Sequence, residues 1–288
     1  VGYSRRLRRP RFWYLNPFES RSSQNVIYKG NPGLTPTFTN SFDLGYLQKI
    51  GKLTLNSSIY FQHSINSILR VSRDEIRLLD GVNQVITIRE PINLASEDRF
   101  GFELTANYNP SKKVRLSGSF NVFQQESKGL YAYNKFIIDE VTGAISATPE
   151  TQDLGNTNNS WFTRFNATFS LPWKIQMQNR LSYRGPRNTA QSDSEGIFSA
   201  NIALSKDVFK EKGSLVLNVS DVFNSRKRKS TNYNPSIENP TSISYQESQW
   251  RVRQVSLNFT YRFNQKKKQQ RDRRGGEDFE GGEDFGTP

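Results

Sequence analysis

The sequence predicts an all-β fold, an antiparallel β-barrel that crosses a membrane with its strands. Three observations predict it. The first is a two-residue alternation that recurs along the chain. In "RFGFELTANYNP" (99–110), Phe100, Phe102, Leu104, Ala106 and Tyr108 share one face, and Arg99, Gly101, Glu103, Thr105 and Asn107 share the other. Side chains two apart lie on one face of a β-strand. The second is the chemistry of the faces: one is rich in aromatics, the other in Arg, Gln, Asn and Ser. A soluble β-sandwich also alternates, but its buried faces seldom line up arginines and glutamines strand after strand. The third is the rhythm of the connections, short and long in turn, which is the pattern of a barrel with tight turns at one membrane surface and long loops at the other.

Taken in order, the first strand lies near residues 2–9 and leads into a long connection to about residue 38. The second strand ends in the short turn "KIGK" (49–52). "LTLNSSIYF" then sets Leu53, Leu55, Ser57, Ile59 and Phe61 against Thr54, Asn56, Ser58 and Tyr60. A long connection (about 65–96) precedes the 99–110 strand, and "NPSKK" (109–113) is its turn. "VRLSGSFNV" places Val114, Leu116, Gly118, Phe120 and Val122 opposite Arg115, Ser117, Ser119 and Asn121. After a long connection (127–158), "WFTRFNATFSL" carries Phe165, Ala167, Phe169 and Leu171 opposite Arg164, Asn166, Thr168 and Ser170. "LPWK" (171–174) turns into "KIQMQNRLSYRG", with Ile175, Met177, Leu181 and Tyr183 opposite Gln176, Gln178, Arg180, Ser182 and Arg184. The connection at 185–195 leads to "FSANIALS", the turn "KDVFKEKG" (206–213) and "SLVLNVS". The last connection (225–247) precedes "VSLNFTYRF", where Val255, Leu257, Phe259, Tyr261 and Phe263 face away from Ser256, Asn258, Thr260 and Arg262. No helical period interrupts this series. It gives about ten strands, each expected to have about nine or more residues, the length that crosses a bilayer when tilted. The aromatic face is expected to meet lipid and the polar face a wet lumen, with Arg99, Glu103, Arg115, Arg164 and Arg180 as lumen-facing candidates.

Composition narrows the function. The chain is 34% hydrophobic yet 12% aromatic, and disordered chains are poor in aromatics. No run of 18 apolar residues is present, so no transmembrane helix is expected. Residue 1 is Val and no signal peptide follows, so the chain reads as a processed product or a segment. The absence of Cys excludes disulfides, thiolate metal sites and Cys catalysis. A net charge of +13 raises nucleic acid as a partner. However, basic residues such as Arg115, Arg164, Arg180 and Arg184 stand singly within strands, and no nucleic-acid motif is present, so no nucleic-acid partner is expected. His63 is the one histidine; it lies where a strand meets a long loop and reads as a solvated residue. The acids of "RDEIRLLDG" and "ESKGLYAYNKF" show no paired spacing, and no G-x-S-x-G, P-loop or HExxH occurs. No catalytic residue, cofactor site or metal site is expected, and the chain reads as a non-enzyme.

Two motifs carry a resemblance. "YSRRLRRPRFWYLNPF" presents Tyr3, Ser4, Arg5, Arg6, Arg9, Pro10, Leu15, Asn16, Pro17 and Phe18. "GNPGLTPTFTNSFDLGY" presents Gly30, Asn31, Pro32, Leu34, Pro36, Asn40, Leu44, Gly45 and Tyr46. The pair resembles the barrel of TonB-dependent outer-membrane receptors, within the outer-membrane β-barrel family. Asp43 stands where that family usually has Glu, and Thr37 where Glu often follows the Pro. The resemblance implies the C-terminal half of a 22-stranded barrel, leaving about ten strands after the motifs. It implies a cell outer membrane setting in a Gram-negative bacterium, with lipid and lipopolysaccharide around the barrel. The remaining N-terminal barrel and plug are implied as partners, together with a TonB-type energising protein and a surface lipoprotein. It also implies an assembly β-signal at Phe259, Tyr261 and Phe263. In physical terms the motifs are turn chemistry, because Asn-Pro and Gly-Asn-Pro stop strands, so structural anchoring is their expected role. The arginines of "RRLRRPR" are expected to divide between the lumen and the outer leaflet.

Residues 1–263 therefore read as barrel and 264–288 as a flexible charged periplasmic tail. The tail holds a basic run (266–274) and a doubled "GGEDF" whose Phe279 and Phe285 could dock a partner. The expected function is import of a scarce solute by a TonB-dependent transporter. A non-transporting barrel subunit of an assembly, secretion or surface complex is the alternative.

Overall fold

The computed structural model describes residues 1–263, except residues 80, 140, 141 and 239; the 264–288 tail lies outside the described residues. β1 (Gly2–Arg8) runs into one helical turn, α1 (Phe12–Leu15), and two short strands, β2 (Ser20–Ser23) and β3 (Val26–Tyr28). β4 (Thr37–Ile50) and β5 (Leu53–Ile65) form the first long hairpin. β6 (Ile68–Leu79) and β7 (Val82–Asn93) separate it from the second, β8 (Ser96–Ser111) with β9 (Val114–Lys128). β10 (Leu130–Ile138) and β11 (Ile145–Asp153) precede the third, β12 (Asn156–Leu171) with β13 (Ile175–Arg184). β14 (Arg187–Thr189) and β15 (Ser192–Ser194) precede the fourth, β16 (Ile197–Val208) with β17 (Gly213–Ser220). β18 (Arg228–Asn234) and β19 (Ser242–Ser248) lead to β20 (Gln254–Tyr261).

One ten-stranded sheet, the wall, takes the order β1-β4-β5-β8-β9-β12-β13-β16-β17-β20. Its neighbours are all antiparallel, and β1 and β20 are its open edges. Seven of the ten strands reach the expected length. β1 has 7 residues, β17 8 and β20 8. Soon after β1 comes Pro10, which has no N–H to give a ladder. β17 stops at Asp221, whose φ of 52° turns the chain and whose carboxylate accepts the N–H groups of Ser225 and Arg226.

The register puts apolar on apolar. Leu44 faces Ile59, Ile59 faces Phe102, Phe102 faces Val122 and Val122 faces Trp161. On the opposite face Arg180 lies between Asn166 and Asn201. The apolar face is open, with Phe42, Phe61, Phe100, Phe165, Leu257 and Phe259 exposed. A wall that presents aromatics outward suits hydrocarbon rather than water. Its strands are staggered. Direct partners lead from Ile50 at the turn end of β4 through Tyr108, Ala167 and Ile202 to Val255 at the loop end of β20. That climb is the stagger of tilted barrel strands.

The four short turns gather at one end. Gly51 (φ 58°) closes β4 to β5, and Trp173 and Lys174 (φ 59° and 58°) close β12 to β13. The long connections, which the sequence suggests are irregular, are mostly strands. They form a four-stranded β2-β3-β7-β6 sheet, a β10-β11 hairpin and a β14-β15-β18-β19 sheet at the other end. "VITI" (85–88) supplies the β-branched residues that favour a strand, and Gly81 (φ 77°) supplies the turn conformation between β6 and β7. Among the described residues this loop layer holds two buried apolar clusters: Ile27, Ile86 and Ile88 in one, Val71, Leu94, Tyr131 and Leu154 in the other.

Candidate functional site

The two sequence motifs fold onto each other. α1 ends at Asn16, whose Oδ1 accepts the N–H of Phe18 at 3.2 Å. The N–H of Gly30 donates to Asn16 O at 2.9 Å, and the N–H of Asn31 donates to Tyr14 O at 2.6 Å. A Cβ on residue 30 would lie 2.3 Å from Asn16 O, so only glycine allows this approach. Asn31 Oδ1 caps Gly33 N–H at 2.9 Å, and its Nδ2 donates to Pro91 O at 3.3 Å. "NPF" and "GNPGLTP" are thus two halves of a clasp beside β7, with Pro32 inside it, Pro36 just before β4 and Phe18 left exposed. Arg5 shares the aromatic face of the wall with Tyr3 and Leu7, and its guanidinium stands 5.3 Å from the centre of the Phe38 ring. Arg6 takes the polar face, and Arg9 and Pro10 follow the end of β1.

Ion pairs tie the loop layer together. Arg73 bonds Glu75 at 3.0 Å and Glu90 at 3.3 Å. Arg77 bonds Glu75 at 2.8 Å and both oxygens of Glu19, at 2.7 and 2.8 Å. The hydrogen bond from Arg77 holds the Glu19 carboxyl below its usual range. The Tyr131 hydroxyl donates to Glu90, and burial, reinforced by that bond, pushes its phenol up. Gln191 bonds the backbone N–H and carbonyl of Ser72, joining the segment between β14 and β15 to β6. Both acids of "RDEIR", unpaired in the sequence pattern, have partners in the fold: Glu75 pairs with Arg73 and Arg77, and Asp74 accepts from the hydroxyls of Thr87 and Thr241. His63 sits near the loop end of β5 with its side chain 40% exposed, and its Nδ1 lies 2.6 Å from Asp98 Oδ1 across the β5/β8 pair.

Between the loop layer and the polar face of β12, β13 and β16 lies a cavity of about 950 Å³. The wall gives it Arg164, Arg180 and Arg184, and the loop segments give it Arg70, Arg89, Arg187, Arg226 and Arg228. No Asp, Glu or Lys lines it among the described residues. Burial pulls the Arg187 guanidinium below its ordinary value; Glu97 opposes this, and Arg99, Arg228 and Arg184 add to it. Burial does the same to Arg70, with Arg89 and Arg228 adding to the effect.

The five lumen-facing candidates share the polar face, but only Arg164 and Arg180 line the cavity. Arg99 is held beside it by Gln125 Oε1 (2.5 Å) and the Phe123 ring (4.6 Å). Glu103 pairs in register with Ser58 and Asn121, and Arg115 with Thr168. Five cavity arginines come from loop segments, outside the strand alternation of the wall. At the turn end, Phe259 and Tyr261 pack edge-on to Phe209, and Phe263 lies beside Tyr261. Among the described residues no group of His, Cys, Asp or Glu could hold a metal ion.

The model of the outer membrane protein beta-barrel family matches residues 1–261. The chain belongs to that family. Membership in the outer membrane protein beta-barrel family places the wall in the outer membrane of a Gram-negative bacterium. No curated protein and no solved structure matches the chain.

Proposed function

We propose that this chain is the C-terminal part of the barrel of a TonB-dependent transporter, which imports a scarce solute across the outer membrane. The observation that carries this reading is the arginine-lined cavity between the polar face of the wall and a cross-braced loop layer. Such a chamber suits solute capture at the outer end of a barrel, where pockets combine enclosure with a few convergent polar groups. The loop layer then faces the cell exterior and the short turns face the periplasm. β1 and β20 pair with strands of the remaining N-terminal barrel, because unpaired edges cannot stand in hydrocarbon. A plug fills the lumen, a TonB-type protein supplies energy, and a surface lipoprotein covers the loops. Residues 264–288 leave on the periplasmic side, and Phe259, Tyr261 and Phe263 serve as the β-signal.

The test compares solutes taken from the medium by cells with and without the full-length protein. Gene-dependent uptake that stops when the inner-membrane proton gradient is collapsed is the expected result. Uptake indifferent to that collapse, or no uptake difference at all, would refute energised import.

A further inference from the structure

We infer that the cavity binds a polyanionic solute, one that carries several carboxylate or phosphate groups on a hydroxylated body, and that Arg70, Arg89, Arg164, Arg180, Arg187 and Arg228 receive its anionic groups. This names the solute class for the transport proposed above and rests on that reading for its biological role. Binding itself can be tested without it.

Charge balance is the first ground. Eight arginines line the cavity with no acid or lysine among the described residues. The nearby acids are committed elsewhere: Glu75 and Glu90 hold Arg73, Glu19 holds Arg77, and Glu97 lies 3.9 Å from Arg99. None of the six arginines named above forms an ion pair among the described residues. A guanidinium cannot shed its proton to escape such a site. The cluster therefore stores like-charge repulsion in a partly desolvated space, and a bound anion would relieve it. Arginine forks also match the planar or trigonal oxygens of carboxylate and phosphate, which lysine does not.

Unmet hydrogen bonding is the second ground. Arg89 Nε and both amide atoms of Asn234 are buried without a hydrogen-bond partner, and both residues line the cavity. Asn234 is only 6% exposed. Buried polar atoms of this kind are rare and call for a partner. The third ground is size and lining. About 950 Å³ is near the upper end for small-molecule sites, far more than one phosphate needs. Between the arginines lie Ser182, Ser199, Ser230 and Ser244, whose hydroxyls both donate and accept and so suit a hydroxylated body.

The experiment uses the full-length protein purified in detergent, with titration calorimetry at near-physiological salt. The probes are inositol 1,4,5-trisphosphate, which keeps three free hydroxyls, citrate, the neutral trisaccharide raffinose, and micellar lipid A bisphosphate. Saturable one-to-one binding of inositol 1,4,5-trisphosphate or citrate is expected, with none for raffinose. Arg187→Gln and Arg228→Gln are each expected to weaken it at least tenfold, while Arg115→Gln, on the polar face outside the cavity, changes it less than twofold. The electrophoretic shift between folded and heated protein shows that each variant is folded. Three results would overturn the proposal: no saturable binding of either soluble anion, equal loss in Arg115→Gln, or binding of lipid A alone, which would assign the cluster to a lipid headgroup. Because no energy source enters this assay, failure here leaves energised uptake standing, and failure of uptake leaves binding standing.

Discussion

Leu104→Arg is the most direct perturbation of the face assignment. Leu104 lies on the aromatic face of β8, with Ser57 and Phe120 as its cross-strand partners. The apolar alternation of that strand runs from Phe100 to Tyr108. Those eight steps span about 27 Å along the strand and about 20 Å along the membrane normal at a tilt of about 40°. This fits inside an apolar band about 25 Å tall and puts Leu104 at its centre. An arginine there is expected to cost about 2–4 kcal/mol, falling to about 0–1 kcal/mol for Phe100→Arg and Tyr108→Arg near the two interfaces. Glu103→Gln, one residue away on the polar face, is expected to change stability by no more than about 0.5 kcal/mol. Reversible urea titration of the full-length protein in lipid vesicles, followed by tryptophan fluorescence, measures all four. Equal costs for Leu104→Arg and Glu103→Gln, or a flat profile across the three aromatic-face positions, would refute the assignment.

Gly30→Ala is expected to open the clasp at a cost of about 1–3 kcal/mol, the worth of its two backbone hydrogen bonds, and to speed proteolysis within residues 11–36. Gly45→Ala, whose new Cβ would come no nearer than 3.9 Å to another residue, is expected to leave that rate unchanged. Because burial and the bond to Glu90 raise the Tyr131 phenol, its contribution to stability is complete below the ordinary tyrosine range near pH 10 and is lost as pH rises through the raised value. Tyrosinate absorbance should therefore show a late-titrating group that Tyr131→Phe removes, and a wild-type titration with no late component would contradict the packing. Cysteines at Ser4 and Asn258 of the full-length protein are expected to form no disulfide under oxidation, since β1 and β20 are opposite edges; ready cross-linking would mean a small closed barrel. Phe259→Ala with Phe263→Ala is expected to slow assembly into the outer membrane several-fold, and Asn258→Ala, on the other face of β20, is expected not to, as judged by pulse-chase appearance of the folded band.

The wall was legible because its signal is local. A period of two within each strand, and a turn after it, can be read from a dozen residues, as in 99–110. The loop strands were less visible. In β6, Arg73, Asp74, Glu75 and Arg77 break the hydrophobic alternation, and their stabilising partners Glu19, Thr87, Glu90 and Thr241 lie elsewhere in the chain. A hairpin signal was present even so, in the Asp80-Gly81 dipeptide followed by "VITI". The site divides in the same way. Arg164 and Arg180 follow from the polar face of the wall. Arg70, Arg89, Arg187, Arg226 and Arg228 converge from segments as much as 158 residues apart, where nothing local marks them. The turn chemistry of the motif prolines can be read from the sequence, but the reason for Gly30, its contact with Asn16, needs the folded backbone.

The buried apolar clusters lie in the loop layer, and this sets how the protein should respond to heat. Ile27, Ile86, Ile88, Val71, Leu94 and Leu154 leave water when the loop layer folds and re-enter it when that layer melts. The aromatics of the wall remain in hydrocarbon throughout such a melt. A positive heat-capacity increment comes from hydrating apolar surface, so it should accompany melting of the loop layer while the wall contributes little until it leaves the lipid. Calorimetry would then show two separate transitions, with the curvature of stability against temperature belonging to the water-side layer and so to the roof of the arginine chamber.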